Sequence, residues 1–218
     1  MIKPTQEELK IIVNLIKKQN VDCVDNFVEN LQKYVNLVLE ENQNHNLIGE
    51  NTIQNIWSRH IIDSLQLVQY FNKEDQNKQI VDLGSGAGFP AIPLCLALQN
   101  QTIMVEKSQV KANFLQKVIT ELKLNQILSV SNLIITKQNN KEIFNKPTII
   151  TSRAFKPLKE ILYLIGDNKN IEKIVLLKGK TWQNEIYEAK NEIKKNYWKI
   201  NNYQSIVSKE GVVLVLDK

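Results

Sequence analysis

The stretch Val81-Asp82-Leu83-Gly84-Ser85-Gly86-Ala87-Gly88-Phe89-Pro90 limits what this chain can fold into more than any other. A short apolar run, Ile80 to Leu83, ends in glycines at every second position, and an apolar helical pattern follows from Pro90 to Leu98. The run reads as a buried strand. The glycines let the backbone turn tightly and leave bare main chain for a ligand to lie against, and proline is tolerated in a helix's first turn. In open α/β sheets ligands bind in the crevice beyond the strands' carboxyl ends, where this loop would stand. The plainer reading is a tight turn with no ligand; three spaced glycines count against it.

The rest of the chain agrees with an α/β sheet. Thr102–Glu106 reads as the second strand, Ile127–Ile135 contains the third, Thr148–Thr151 is the fourth and Ile171–Leu177 the fifth. Helices fall between them at Gln109–Leu122, with Val110, Phe114, Val118 and Leu122 on one stripe, and at Leu158–Ile165; another, Trp182–Lys194, follows the fifth strand. Tyr197–Tyr203 and Gly211–Leu216 read as a closing hairpin. Alternating βα units predict a mainly parallel, doubly wound sheet covered by helices on both faces, here with an antiparallel closing strand.

The first seventy or so residues read differently. Thr5 to Glu8 fits a capping box, and Leu9, Ile12, Val13 and Ile16 follow at helical spacing. A second apolar face runs from Val24 through Phe27, Leu31 and Val35 to Val38, and a third helix is expected from near Thr52 through Trp57 to Val68. The polar run Asn72–Lys78 reads as a linker. The division expected is residues 1–72 as an N-terminal helical extension and 73–218 as the α/β domain.

Composition narrows the function classes. Net charge is +5, with an isoelectric point of about 9.0, which suits a polyanionic partner as weak support. Of 28 Lys and Arg only two are arginine, Arg59 and Arg153. Where arginine persists among so many lysines, its planar five-donor fork is favoured as the reason. Cys23 and Cys95 lie in helical patterns without metal-ligand spacing, and read as buried free thiols of a reducing cytosol. No apolar signal core and no membrane-length run occurs. The expectation is a soluble, cytoplasmic protein without a metal, and a monomer by default.

The spacing Gly84, Gly86, Gly88 is not the G-x-G-x-x-G of a dinucleotide site. The second strand ends in Glu106, placed to accept hydrogen bonds from ribose hydroxyls. Asp82 precedes the glycines and is a candidate to position the loop or a ligand's amine. The pattern D-x-G-x-G-x-G with a later strand-end acid looks like the S-adenosylmethionine site of Rossmann-like, class I methyltransferases. On the loop alone, a nicotinamide or flavin enzyme stays open.

Further segments carry a family resemblance. In order they are Asn46-Leu47, Arg59-His60-Ile61-Ile62-Asp63-Ser64, the glycine loop continuing into Phe89-Pro90-Ala91-Ile92-Pro93-Leu94, Glu121-Leu122-Lys123-Leu124, Ser152-Arg153-Ala154-Phe155 and Leu177-Lys178-Gly179. Together they resemble the small-subunit ribosomal RNA methyltransferase G family, also called glucose-inhibited division protein B, from about Asn46 to the C-terminus. R-H-x-x-D-S and S-R-A-F are the specific motifs. The resemblance implies methyl transfer from S-adenosylmethionine to a guanine N7 of 16S ribosomal RNA in the small subunit. It implies that Gly84, Phe89 and Arg153 hold the cofactor and that Ile134 and Ile135 flank its adenine. Glu106, Asp82 and Gly86 join that site from the reading of the loop. The family often has a small residue and an acid where this chain has Ile134-Ile135, and a basic residue is commoner where it has Asp217.

The chemistry fits by omission. Guanine N7 has a lone pair and no proton, so alignment rather than a general base should carry catalysis. The Asn/Asp-Pro-Pro-aromatic tetrapeptide of exocyclic-amine methyltransferases is missing, and neither cysteine follows a proline as cytosine C5 chemistry would require. Arg153 is the one catalytic candidate, and Arg59, His60 and Phe155 are candidates for the substrate side. His60, in a helix, reads as a local hydrogen-bond partner, for instance of Asp63, before it reads as catalytic. Phe155 stacks on a base or packs in the core, with equal weight. Lys107, Lys111, Lys117 and Lys123 read as a solvated face before a phosphate contact. Rivals are a methyltransferase acting on another RNA or a small molecule, and a cofactor- or RNA-binding module without catalysis.

Overall fold

The computed structural model describes residues 1–19, 21 and 23–218. Its strands are β1 (Gln79–Leu83), β2 (Thr102–Val105), β3 (Leu128–Ser131), β4 (Thr148–Arg153), β5 (Ile171–Lys178), β6 (Lys199–Gln204) and β7 (Val212–Asp217). They form one sheet in the order β3-β2-β1-β4-β5-β7-β6. β1 to β5 pair in parallel, and β7 runs antiparallel to both of its neighbours, β5 and β6. The mainly parallel, doubly wound sheet with an antiparallel closing strand is therefore as expected.

The helices are α1 (Gln6–Ile16), α2 (Val24–Glu41), α3 (Asp63–Leu65), α4 (Ala91–Leu98), α5 (Gln109–Glu121), α6 (Asn140–Ile143), α7 (Leu158–Ile165) and α8 (Trp182–Lys195). The Thr5–Glu8 capping box forms in both directions at the start of α1. β1 is buried along its whole length because helices cover both sheet faces, which is why it carries no polar alternation. Alternate residues feed two cores. Ile80, Met104, Ile149 and Val175 pack in one core with α1 to α5; Val81, Ile150, Ile174 and Leu176 pack with α7 and Phe144 on the other face.

Several expectations are corrected. The single helix from Thr52 to Val68 is a helical run of changing pitch: a 3-10 segment Glu50–Asn55, a π-type turn Trp57–Ile62, α3, and a second 3-10 segment Gln66–Tyr70. Apolar periodicity reports which face is buried, and small changes of pitch leave that face unchanged. The polar run Asn72–Lys78 contains a capped 3-10 turn whose Asp75 is buried. Cys23 caps α2 and is exposed rather than buried within a helix. Pro90 sits just before α4, and Val110 is exposed, off the buried stripe of α5. α6 carried no sequence signal, being a single turn too short to establish a period.

Candidate functional site

The strand order reverses direction between β1 and β4, so a crevice opens at their carboxyl ends. The glycine loop fills its floor. Gly84, Gly86 and Gly88 have φ of 71°, 57° and 100°, values that side chains with a Cβ rarely adopt. Gly84 has a second reason to be glycine: a Cβ there would stand 2.4 Å from the Phe155 ring. The space above Gly86 is open, with only the Gly84 carbonyl oxygen within 4 Å, at 3.9 Å.

Two carboxylates frame this loop. Glu106, just beyond β2, accepts from the Gly86 N–H at 2.9 Å and from the Ser108 N–H at 2.8 Å. It thus ties the loop to the start of α5 and keeps lone pairs spare, since two carboxylate oxygens offer about four acceptor sites. Asp82, on β1, is completely buried. Its Oδ1 accepts from the Thr151 hydroxyl of β4 at 2.9 Å, while Oδ2 has no partner among the described residues. Burial pushes this carboxyl up to about 6, against the opposing pull of the Thr151 hydrogen bond and the Arg153 charge. An orphaned buried carboxylate oxygen costs free energy that a cationic or N–H-bearing ligand would recover. An unpaired carboxylate oxygen beside a loop with open space above Gly86 suits a cationic ligand such as S-adenosylmethionine.

The two arginine motifs meet. Arg153 reaches from the end of β4 to the π-type turn. Its guanidinium donates to the Arg59 carbonyl at 3.0 Å, to Asp63 Oδ2 at 3.3 Å and to His60 Nδ1 at 2.6 Å. It also lies over the Phe89 ring, 5.2 Å from its centroid. Arginine can only donate, so His60 Nδ1 accepts, and the ring proton sits on Nε2 facing the Thr52 hydroxyl at 2.9 Å. Burial, then the charges of Arg153 and Arg59, bring the His60 pKa down to about 3. The expected His60–Asp63 pairing is therefore replaced by Arg153 and Thr52. Asp63 instead takes Arg153 and Gln66; burial raises its pKa, partly offset by Arg153.

The other candidates are spread around this centre. Phe155 is half-buried, packed on Gly84 and on the second core. The Arg59 side chain is exposed. Arg59, Asp63, Arg153 and Phe155 line an open cavity of about 390 Å³, together with Lys178, Glu185, Gly211 and Val212. Ile134 and Ile135 follow β3, the first exposed and the second buried; the Ile134 carbonyl already accepts from Asn139 at 3.0 Å. A larger cavity, about 1290 Å³, lies at the opposite, amino-terminal edge of the sheet beside Asp75 and Asn100. It has no glycine loop, so size does not choose the site. Among the described residues no His, Cys, Asp and Glu cluster could hold a metal, and no helix is long and apolar enough to cross a membrane.

Two residues of this centre escaped the sequence reading. Thr151 and Tyr34 both bond to it from far along the chain, Tyr34 through its hydroxyl to the Ala87 carbonyl at 2.7 Å. The available signal was a tyrosine on the apolar face of α2, since a buried phenol needs a partner.

Residues 27–213 match the family model described as rRNA small subunit methyltransferase G. The ribosomal RNA small subunit methyltransferase G of Rickettsia bellii is 39% identical over 194 residues, covering 89% of this chain and 95% of that protein. Its counterpart in Rickettsia felis is 37% identical over 189 residues, covering 86% of this chain and 91% of its own. Among solved structures, an O-methyltransferase from Bacillus cereus in complex with S-adenosylhomocysteine superposes with a TM-score of 0.57 at 16% identity, covering 85% of this chain and 91% of its own. M. capricolum TrmK, also with S-adenosylhomocysteine, gives 0.56 at 16% identity, over 71% and 67%. At such identities the structures establish a Rossmann-like methyltransferase fold.

Proposed function

We infer the reaction from kinship: the chain belongs to the rRNA small subunit methyltransferase G family, and it transfers a methyl group from S-adenosylmethionine to N7 of a guanine in 16S ribosomal RNA. The observation that carries this reading is the family match over residues 27–213, joined to the buried, unpaired Asp82 oxygen on β1 beside the glycine loop.

S-adenosylmethionine supplies, when bound, a sulfonium methyl that an aromatic nitrogen can take without losing a proton. The protein's own part is positioning. Asp82 would offer its carboxylate to the ligand's amine, main chain at Gly84 and Gly86 would hold the ligand, and Glu106, which keeps lone pairs spare, would accept from its ribose hydroxyls. Phe89 and Arg153 would hold the cofactor, and Ile134 and Ile135 would flank its adenine. Phe155 borders the cavity that takes the target base, and Arg59, exposed at its mouth, meets phosphate. No residue here acts as a base. His60 is neutral at physiological pH, but both its ring nitrogens are engaged by Arg153 and Thr52, so it serves as a brace.

The test is transfer of labelled methyl to small ribosomal subunits and to their extracted RNA, with the modified base identified by mass spectrometry. Label recovered as 7-methylguanine at one site is expected. Label in another RNA or only in a metabolite pool would overturn the substrate assignment, and tight cofactor binding with no transfer would favour a binding module. Arg153→Ala is expected to lower transfer at least about tenfold and to cost about 1–3 kcal/mol in stability, because it leaves the buried His60 Nδ1 and the half-buried Asp63 Oδ2 without this donor; unchanged turnover by this variant would remove Arg153 from the site.

A further inference from the structure

The helical extension touches the glycine loop through a group that methyl transfer itself does not use. Tyr34 of α2 is fully buried. Its hydroxyl donates to the Ala87 carbonyl at 2.7 Å, across 53 residues of sequence. The same oxygen would stand 3.0 Å from a Cβ on Gly88, and Ile92 Cδ1 would stand closer still, at 2.3 Å, so the loop passes tightly between the two. From the other side, the Gly88 N–H donates to the Ser85 carbonyl at 2.7 Å. The peptide between Ala87 and Gly88 is thus held on both sides, one of them supplied from outside the α/β unit. Burial raises the phenol well above its usual 10.0, so the hydroxyl remains a donor.

The next residue is clamped as well. The Tyr34 ring packs on Phe89 with centroids 5.1 Å apart and planes tilted by 50°. His60 approaches the same ring at 4.9 Å and Arg153 at 5.2 Å. Three side chains therefore enclose Phe89, and two of them, Tyr34 and His60, come from the extension.

We propose that Tyr34 is a positioning residue for cofactor binding: from α2 it fixes the Ala87–Gly88 peptide and the Phe89 ring, and so sets the shape of the glycine loop. This rests on the reading of that loop as the S-adenosylmethionine site. It makes the extension part of the binding machinery rather than an appendage to it. Packing alone predicts something else, that Tyr34 contributes stability as any buried side chain of α2 does. Val38, one turn along the same helix and equally buried, supplies the comparison.

The experiment uses the full chain and S-adenosylhomocysteine as the probe. Calorimetric binding, KM for S-adenosylmethionine, KM for small-subunit RNA and urea unfolding are measured for wild type, Tyr34→Phe and Val38→Ala. Tyr34→Phe keeps the ring and removes one hydrogen bond, so it is expected to fold. It should raise the dissociation constant and the cofactor KM roughly three- to tenfold, with the RNA KM unchanged. Val38→Ala should lose at least as much stability and leave both cofactor constants unchanged. Unaltered binding in Tyr34→Phe, or an equal loss in Val38→Ala, overturns the proposal. A wild-type protein that binds no S-adenosylhomocysteine instead overturns the reading of the loop, and the Tyr34 assignment with it.

Discussion

Asp82 sits under opposing demands. Folding buries its carboxylate on β1 with one oxygen unpaired, whereas the proposed ligand needs that oxygen bare. Its pKa, near 3.8 when unfolded and about 6 when folded, turns the conflict into a pH dependence. A raised acid binds its proton more tightly in the folded state, so stability falls as pH rises from 3.8 to about 6 and stays lower above that. The fall amounts to at most about 3 kcal/mol. Asp82→Asn should therefore lose this slope in urea melts of the cofactor-free protein between pH 4 and 7, and should bind S-adenosylhomocysteine more weakly. A wild-type slope that persists in Asp82→Asn would assign the pH dependence to another group.

Between residues and the molecule stands the Asn72–Lys78 turn, where polar composition misled the sequence reading. Asp75 accepts from the Asn72 N–H at 3.1 Å and from Lys78 at 3.0 Å, and is bonded to Lys173 of β5. Burial alone would raise its pKa, yet the hydrogen bonds from Lys173, Asn72 and Lys78 together outweigh it and hold it below 3.8. Its contribution is therefore present above pH 3.8 and is lost as pH falls below that value. Asp75→Ala strands Lys173 and should cost about 3–5 kcal/mol; Asp75→Ala with Lys173→Met should recover much of it, and an additive double variant would show that the pair does not interact. A solvated linker and a buried polar turn have the same residue types, and only the partner 98 residues away tells them apart. The same physics sorts the other elements. β1 was legible because a strand covered on both faces carries apolar side chains on both, here Ile80, Val81 and Leu83. The glycine loop was legible because three positive φ values in one short turn favour glycine, and at Gly84 and Gly88 a Cβ would also clash. Changing pitch from Glu50 to Tyr70, the bond between Tyr34 and Ala87 and the exchange of His60 partners depend on chain segments far apart, and no local pattern records them.

At the scale of the whole chain, charge is divided unevenly. Residues 1–72 hold six Lys and Arg against nine Asp and Glu, while residues 73–218 hold 22 against 14. A polyanion would thus be met mainly by the sheet half, with Arg59 the basic contribution of residues 1–72 at the cavity mouth. Lys107, following β2, and Lys180, following β5, are exposed near the crevice, whereas Lys10 and Lys17 are exposed on and just after α1. Replacing Lys107 or Lys180 by alanine should weaken RNA binding and reduce the slope of log affinity against log salt by about 0.7 for each phosphate that is no longer neutralised. Lys10→Ala and Lys17→Ala should leave that slope alone, and equal effects from both pairs would refute the division. The sheet's own order has a consequence in time. β7 is synthesised after the six other strands, yet it lies inside the sheet between β5 and β6. A nascent chain that has not reached Val212 has neither a neighbour for β5 on that side nor the full lining of the cavity beside Arg153. A chain still being translated before that residue therefore lacks the part of this cavity's lining that Val212 supplies.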